Sequence, residues 1–337
     1  MSLQDQLEAY LTRVWDKPTR VTELSRIPGG ASRETYRFDV DAGGEVKHLI
    51  LRRDPVGSLI DTERKLEFEA IRSFHGTGLP APEAVALEED GAELERPFFI
   101  MGRIDGGKAQ SPFTVAPYGD HAETIGEQFY RHLGTIAKAD PAGLPIAKVI
   151  DTPAPDGCWK RELDYWEGVI DADEEHPQPI VRACIRRLRA SPPPPAQKLS
   201  VVHGDYRTGN FLHDGAGKVI ALLDWEMAHI GDPLEDLGWA MEPLWCYGET
   251  ERVSGMLPRA QAIAIWEKSS GLTVDPKAFA WWELFASVKG QAIWISSAKE
   301  YRAGGFKDPV LGLSGWYTAR RQDVILADRL AALEALA

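Results

Sequence analysis

The sequence predicts an α+β fold: a five-stranded antiparallel sheet with one helix packed on it, then a mostly helical second half. Three observations lead there. Strand-like runs bounded by glycine turns fill the first hundred residues, the composition changes near "IDGGK" (Ile104–Lys108), and helical patterns occupy most of the remaining chain. Residues 1–104 and 105–337 are therefore expected to form two lobes, with enough chain for substantial cores.

The chain opens on "MSLQDQLEAYLTRVW", an amphipathic helix pattern whose acidic residues set it apart from a secretory leader. "VTELSRI" (Val21–Ile27), "ETYRFDV" (Glu34–Val40) and "KHLILRR" (Lys47–Arg53) come next, and read as an antiparallel meander in which Tyr36, Phe38 and Val40 share a face. A helix pattern runs from about Asp61 to Phe74, and "EAVALEE" and "PFFIMGRI" supply the last two strands. In the second half a basic helix spans Val181–Ala190 and ends at "SPPPP" (Ser191–Pro195), which can neither continue a helix nor join a central strand. The short strands "LSVV" and "VIALLDW" are expected to form a hairpin-like support. Helices are expected near Pro258–Ser270, Pro276–Tyr301 and Tyr317–Ala335.

Composition excludes several classes of function. With 38 Lys and Arg against 51 Asp and Glu, the formal net charge is −13, the wrong sign for gripping nucleic-acid or membrane phosphates, and neither partner is expected. No run of about 18 apolar residues offers a membrane span. Cys158, Cys184 and Cys246 are far apart without a C-x-x-C pair, and the eight histidines contain no H-E-x-x-H. A disulfide framework or structural zinc site is not expected, and a cytoplasmic location is.

Chemistry concentrates in "HGDYRTGN", where Asp205 precedes Asn210 by five positions, and in "LLDWE", which adds Asp224. Gathered at one end of the two short strands, these residues offer two carboxylates and an amide oxygen. Such an all-oxygen set suits Mg²⁺, which keeps water and phosphate oxygens in its remaining positions. The same aspartate-to-asparagine spacing occurs in the protein-kinase catalytic loop, where the aspartate takes the hydroxyl proton and the asparagine binds metal. Here Gly204 rather than arginine precedes Asp205, and "DWE" replaces "DFG". No "APE" segment comes after it, which sets a protein kinase aside. "DGGKAQS" lacks the Ser or Thr that a Walker A loop needs after its lysine.

With "HGD" itself, these features resemble the aminoglycoside phosphotransferase and choline kinase superfamily. The longer run from His203 to Trp239, "HGDYRTGNFLHDGAGKVIALLDWEMAHIGDPLEDLGW", is most similar to the branch associated with acyl-CoA dehydrogenases. The resemblance covers roughly residues 20–330: "IPGGASRETYRF" looks like the hairpin over the nucleotide, "LILRRDP" like the strand carrying the phosphate-binding lysine, "LEFEAIRSFHGTGLPAPE" like the helix whose glutamate pairs with it, and "RPFFIMGRIDG" like the fifth strand and hinge. It implies a two-lobed protein-kinase-like fold, with a nucleotide-binding lobe at 1–104 and a catalytic and acceptor lobe at 105–337. The implied activity is Mg²⁺-dependent transfer of the γ-phosphoryl group of ATP or GTP to a hydroxyl of a small molecule, with a hydroxyacyl-CoA as the acceptor the branch favours. An aminoglycoside or other antibiotic is the alternative acceptor. A nucleotide-binding pseudoenzyme or partner-binding module is the alternative class.

Carried onto this sequence, the resemblance implies Asp205 as the base, Arg207 beside the transferring group, and Asn210 and Asp224 as metal ligands, with Glu226 weighed as a further metal contact. Gly29, Gly30 and Ser32 would cover the phosphates, Arg52 paired with Glu67 would contact them, and the nucleotide base would lie against Met101, Gly102 and Arg103. Arg52 stands where the family carries lysine, and its planar fork is not equivalent to an ammonium. Glu63 and Glu69 offer other registers for its partner. His203 is expected to hold the loop by hydrogen bonds. In "GDPLEDLGW", Asp232, Pro233 and Glu235 read as a capping box, with Asp236 buried in the first helical turn and bracing the loop. The tryptophans of the second half read mostly as core. "DADEE" (Asp171–Glu175) reads as a solvated loop, and Arg182, Arg186, Arg187 and Arg189 as a basic face available to CoA phosphates.

Overall fold

Five antiparallel strands, β1 (Thr19–Ile27), β2 (Glu34–Ala42), β3 (Val46–Arg53), β4 (Ala84–Glu88) and β5 (Phe98–Gly102), form the N-terminal sheet in the order β1-β2-β3-β5-β4. The computed structural model describes residues 1–27, 34–54, 64–246, 251–304 and 309–336. Leu7, Tyr10 and Leu11 of α1 (Leu3–Trp15) pack with Phe38, Val40 and Phe98 on one face of the sheet. Phe99, one residue further along β5, points the other way and meets Phe68 of α2 (Arg64–Phe74), with ring centroids 6.2 Å apart. The sheet therefore carries a helix on each face, where the sequence pattern assigned it one. The strand alternation expected for β2 holds: Phe38 and Val40 are fully buried and Tyr36 packs against their cluster.

The remainder is built on α8 (Pro276–Ala303), a 28-residue helix buried almost all round from Ala278 to Ala292. Against it pack α4 (Cys158–Asp173), α5 (Pro179–Ala190), α6 (Leu234–Ala240), the short α9 (Pro309–Leu313) and α10 (Ala319–Glu334), while α3 (Ala122–Lys138) pairs with α7 (Arg259–Ser270). Such continuous burial explains why α8 is apolar around its whole circumference rather than striped. The apolar core does not stop between the sheet and the helices. Phe74 at the end of α2 stacks on Trp225 of the "DWE" segment at 5.1 Å, and both belong to the cluster that holds α3, α7 and α8.

Two expectations fail here. The strands around "HGDYRTGN" do not pair with each other: β6 (Ser200–Val202) pairs with β9 (His229–Gly231), and β7 (Phe211–His213) with β8 (Val219–Leu222). The Asp214 carboxylate accepts the N–H groups of Ala216 and Lys218, closing a tight turn that gives β8 a partner nearer in sequence than β6. The acidic run is also no solvated loop. Asp171 and Asp173 finish α4, and Arg182 bonds Asp171 at 2.5 Å and Glu174 at 2.9 Å. Asp173 meets Lys299 at 2.8 Å, Glu175 pairs with Arg302, and Arg189 pairs with Glu167 and with Asp164 at 2.7 Å. "DADEE" is thus countered by Arg182 of α5 together with Lys299 and Arg302 of α8.

A continuous core predicts a single cooperative unfolding transition. Phe74→Ala should lower the unfolding free energy of the whole chain by about 3–5 kcal/mol, the usual cost of a truncated buried aromatic. In urea, two separated transitions for wild type would show instead that the sheet unfolds on its own.

Candidate active site

The loop after β6 is held by a carboxylate beneath it. Asp236, in the first turn of α6, accepts the His203 N–H at 2.6 Å through Oδ2 and the Gly204 N–H at 2.9 Å through Oδ1. From the other side Lys289 of α8 donates to the Gly204 carbonyl at 2.6 Å. Gly204 has φ +82°, and a Cβ there would lie 2.2 Å from the Met227 carbonyl oxygen, so no other residue fits. His203 is fully buried, with Nε2 3.0 Å from the Leu223 carbonyl and Nδ1 accepting the Asp205 N–H at 3.2 Å. Burial pushes its pKa down to about 4, so the imidazole is neutral and serves as a strut, the role expected for it.

Asp205 is mostly buried, and its carboxylate accepts from three side chains. Oδ1 receives Arg207 Nε and Trp239 Nε1, each at 2.8 Å, and Oδ2 receives Asn210 Nδ2 at 2.5 Å. The same amide nitrogen bonds the Asp205 carbonyl at 2.9 Å, which leaves Asn210 Oδ1 as the outward, acceptor end. Arg207 lies over the Trp245 ring at 4.8 Å from its centroid.

Across from this loop, Arg52 on β3 reaches three carboxylates. Its Nη1 lies 2.5 Å from Glu67 Oε1 and 3.5 Å from Asp224 Oδ1, and its Nη2 lies 3.4 Å from Glu226 Oε2. Burial alone would lower its pKa, but the attraction of Glu67, Asp224 and Glu226 outweighs this and holds it above its ordinary value. The Arg52 Nε is buried without a hydrogen-bond partner. Glu67, not Glu69, faces Arg52; Glu69 pairs with Arg72 at 2.6 Å. Asp224 adopts a left-handed conformation, φ +66°, and is a third exposed. The Leu223 N–H donates to the Asn210 carbonyl at 2.8 Å, which sets Asp224 beside Asn210. A partly exposed carboxylate next to an outward amide oxygen fits a hard divalent cation such as Mg²⁺.

The other expected positions are less closely gathered. Gly29, Gly30, Ser32 and the alternative partner Glu63 lie outside the described residues. Met101 and Gly102 end β5, and the Gly102 and Arg103 N–H groups are given to the carbonyls of Glu83 and His48. The Arg103 side chain turns to Asp39 at 2.9 Å and Asp105 at 2.7 Å.

A model of the phosphotransferase enzyme family matches residues 23–272. The chain belongs to that family. Acyl-CoA dehydrogenase family member 11 of Gallus gallus is 25% identical over 246 residues, 71% of this chain but 31% of its own length. The chain thus spans about a third of that curated relative. Viomycin phosphotransferase of Streptomyces vinaceus is 26% identical over 258 residues, 74% of this chain and 80% of its own. Among solved structures, a Ralstonia eutropha protein assigned as an aminoglycoside phosphotransferase superposes with a TM-score of 0.76 at 20% identity, covering 96% of this chain and 97% of its own. That likeness establishes the kinase-like two-lobed fold.

Beneath the loop the sequence revealed Asp236, which braces it as expected, but not the ion pairs of Glu235, His229 and Lys289. The expected capping box is half formed: Asp232 Oδ1 accepts the Leu234 N–H at 2.9 Å, but Glu235 does not turn back to close it. Its carboxylate goes to His229 at 3.0 Å and Lys289 at 3.2 Å, because two buried cations attract it more than one backbone N–H. Glu162 of α4 adds a second carboxylate 3.6 Å from His229. Glu162, His229 and Glu235 bring potential ligand atoms within 4.8 Å of one another, yet Lys289 already supplies a cation there. Trp239 gave a readable signal as a tryptophan in the motif run. Lys289 gave none, since a lysine in a long helix ordinarily reads as surface.

Burial alone would lower the His229 pKa, but Glu162 and Glu235 hold it up at about 9 against an ordinary value of 6.5. The stability it contributes is therefore complete below about pH 6.5 and is lost as pH rises through about 9. Urea unfolding at pH 6.5 and pH 9 should record that fall, and His229→Gln should flatten it while lowering stability at pH 6.5. Equal slopes for the two proteins would show that His229 is neutral in the folded state.

Proposed function

We propose that this chain transfers the γ-phosphoryl group of ATP or GTP to a hydroxyl of a small molecule. One observation carries the reading: the Asp205 carboxylate, which accepts from three side chains, shares its loop with Asn210, whose carbonyl accepts the Leu223 N–H beside Asp224, where Arg52 of the sheet meets Asp224 and Glu226. In this reading residues 1–104 hold the nucleotide, with Gly29, Gly30 and Ser32 over its phosphates and Met101 to Arg103 against its base. Residues 105–337 supply catalysis and the acceptor site. None of Cys158, Cys184 and Cys246 is in a disulfide, which fits a reducing compartment such as the cytoplasm.

Asp205 orients the acceptor hydroxyl and takes its proton. The acceptor oxygen forms a bond to the γ-phosphorus as the bond to the bridging oxygen breaks, and the nucleoside diphosphate leaves with the bonding pair. Asn210 and Asp224 would hold Mg²⁺, with Glu226 adjoining, and the ion would neutralise phosphate oxygens when bound. Arg207, fixed by Asp205 and Trp245, and Arg52, fixed by Glu67, offer further positive charge to the transferring group. The acceptor favoured is a hydroxyacyl-CoA, supported by the motif run and by relatives that are acyl-CoA dehydrogenase family members. An aminoglycoside or other antibiotic is the alternative, supported by the likeness to viomycin phosphotransferase.

A second reading, a nucleotide-binding or partner-binding protein without catalysis, draws on the position of Arg52. Its guanidinium occupies Asp224 and Glu226, the carboxylates nearest the proposed metal site.

Asp205→Asn should lower turnover by roughly a hundredfold or more, as general-base loss does, while Mg·AMP-PNP affinity is retained. Wild-type turnover in that variant sinks the assignment. Arg52→Ala should weaken nucleotide use strongly and Arg52→Lys should retain measurable activity, because charge outweighs fork geometry at a phosphate. An Arg52→Ala enzyme with an unchanged KM for ATP would move the contact to another cation.

A further inference from the structure

Lys289 is 1% exposed, the one buried lysine among the described residues, and the transfer chemistry at Asp205 makes no direct use of it. Resting on the phosphotransferase reading, we propose that Lys289 is a positioning residue for transfer. It sets the Asp205 carboxylate by two routes, through the Gly204 carbonyl and through the Trp239 indole, and leaves Oδ2 as the oxygen that takes the acceptor proton.

The first route is a single peptide plane. Lys289 Nζ donates to the Gly204 carbonyl at 2.6 Å, and the Asp205 N–H donates to His203 Nδ1 at 3.2 Å. That carbonyl and that N–H belong to the same planar unit, so bonds at both ends stop it from rotating and fix the direction in which the Asp205 side chain leaves the backbone.

The second route is the indole. The same ammonium lies 5.0 Å from the centroid of the Trp239 ring, and Trp239 Nε1 donates to Asp205 Oδ1 at 2.8 Å. Arg207 Nε donates to Oδ1 as well, also at 2.8 Å, and two donors fill the lone pairs of that oxygen. Oδ2 accepts only Asn210 Nδ2, at 2.5 Å, and keeps a lone pair. During transfer the acceptor O–H proton goes to this oxygen as the acceptor oxygen bonds the γ-phosphorus, and the nucleoside diphosphate leaves with the electron pair of the broken bond.

Charge balance alone does not account for this arrangement. Glu235 pairs with Lys289 at 3.2 Å and with His229 at 3.0 Å; burial alone would raise its pKa, but His229 and Lys289 hold it well below its ordinary value. Glu162 stands 3.6 Å from His229, and Arg161 pairs with Glu162 at 2.9 Å. Glu235 would satisfy the ammonium in any orientation that reached it. The carbonyl at its tip and the indoles of Trp239 and Trp166, the latter 5.5 Å away, are what aim it at the Asp205 loop.

The test separates aim from stability. Lys289→Met keeps the length of the side chain and removes its charge, and Lys289→Met with Glu235→Gln removes the opposing charge too, without restoring a donor to Gly204. Turnover is read as hydrolysis of Mg·ATP with water as the acceptor, beside Mg·AMP-PNP calorimetry, urea unfolding and deuterium exchange of residues 200–210. Lys289→Met should lower kcat by about tenfold or more, the order expected of a misdirected reacting group, with KM for ATP and AMP-PNP affinity unchanged. The double variant should regain much of the lost urea midpoint while kcat stays low, and exchange at residues 200–210 should rise in both. Trp239→Phe, which keeps an aromatic ring and loses the N–H, should lower kcat by a smaller factor because it opens only the second route; it also carries the test should the lysine variants not fold. Wild-type kcat in a lysine variant that binds AMP-PNP, recovery of kcat together with the midpoint, or wild-type kcat in Trp239→Phe would each overturn the proposal. Faster exchange at residues 200–210 in Lys289→Met, in a protein whose wild type neither binds AMP-PNP nor hydrolyses ATP, would keep Lys289 as the strut of this loop and sink the phosphotransferase reading.

Discussion

The peptide at Gly204 is clamped between charges of opposite sign, and the geometry of the site depends on that clamp. Asp236 accepts the N–H groups of His203 and Gly204, Lys289 donates to the Gly204 carbonyl, and Glu235 pairs with both Lys289 and His229, with Glu162 as a second carboxylate at His229. Buried ion pairs add little net stability over apolar packing, because desolvation offsets much of the attraction. Their effect here is directional. Each charge has one satisfied arrangement, and that arrangement turns the backbone through φ +82° and delivers the Asp205 carboxylate between Arg207, Trp239 and Asn210. Burial pushes Asp236 up to about 6 despite its two N–H donors, so the clamp is stronger when that carboxyl carries its negative charge.

Arg52 extends the same logic between the sheet and the helical half. A lysine has one nitrogen to place, whereas the guanidinium fork reaches Glu67 with Nη1 and Glu226 with Nη2 while staying 3.5 Å from Asp224. The substitution therefore adds a strap as well as keeping a charge. Phe74 stacked on Trp225 supplies the apolar counterpart of that strap. Both contacts converge on the "DWE" segment, so the position of Asp224 is set from the N-terminal side as much as from its own β8 ladder.

The parts legible in the sequence were those whose partners are close along the chain. Asp205, Asn210 and Asp224 fall within twenty residues and come after short strands, and Gly204 is fixed by a steric rule that no packing can override. The five strands and α2 were readable because alternation and helical spacing persist over whole elements. What stayed hidden depends on long-range pairing. Lys289 lies 85 residues from Gly204, and its burial results from where α8 crosses α6, which no local pattern encodes. The pairing of β6 with β9 was obscured because a tight turn at Asp214 claimed β8 for β7. Glu235 fitted a capping box by spacing, and two buried cations drew it away.

Charge misled for the same reason. A sum over the chain counts every ion equally, but an approaching ligand responds to the local field, and that field depends on which charges are already spent. The arginines of α5 look basic in sequence, yet Arg182 alone faces Asp171 and Glu174 within 3 Å. Arg259 and Arg329 instead meet on the buried Glu283, and Arg320 lies over the Trp316 ring. An acidic protein can thus hold arginines whose local surroundings differ from its overall charge. What an approaching ligand meets is therefore decided by how each arginine is packed, which neither the sequence nor its total charge records.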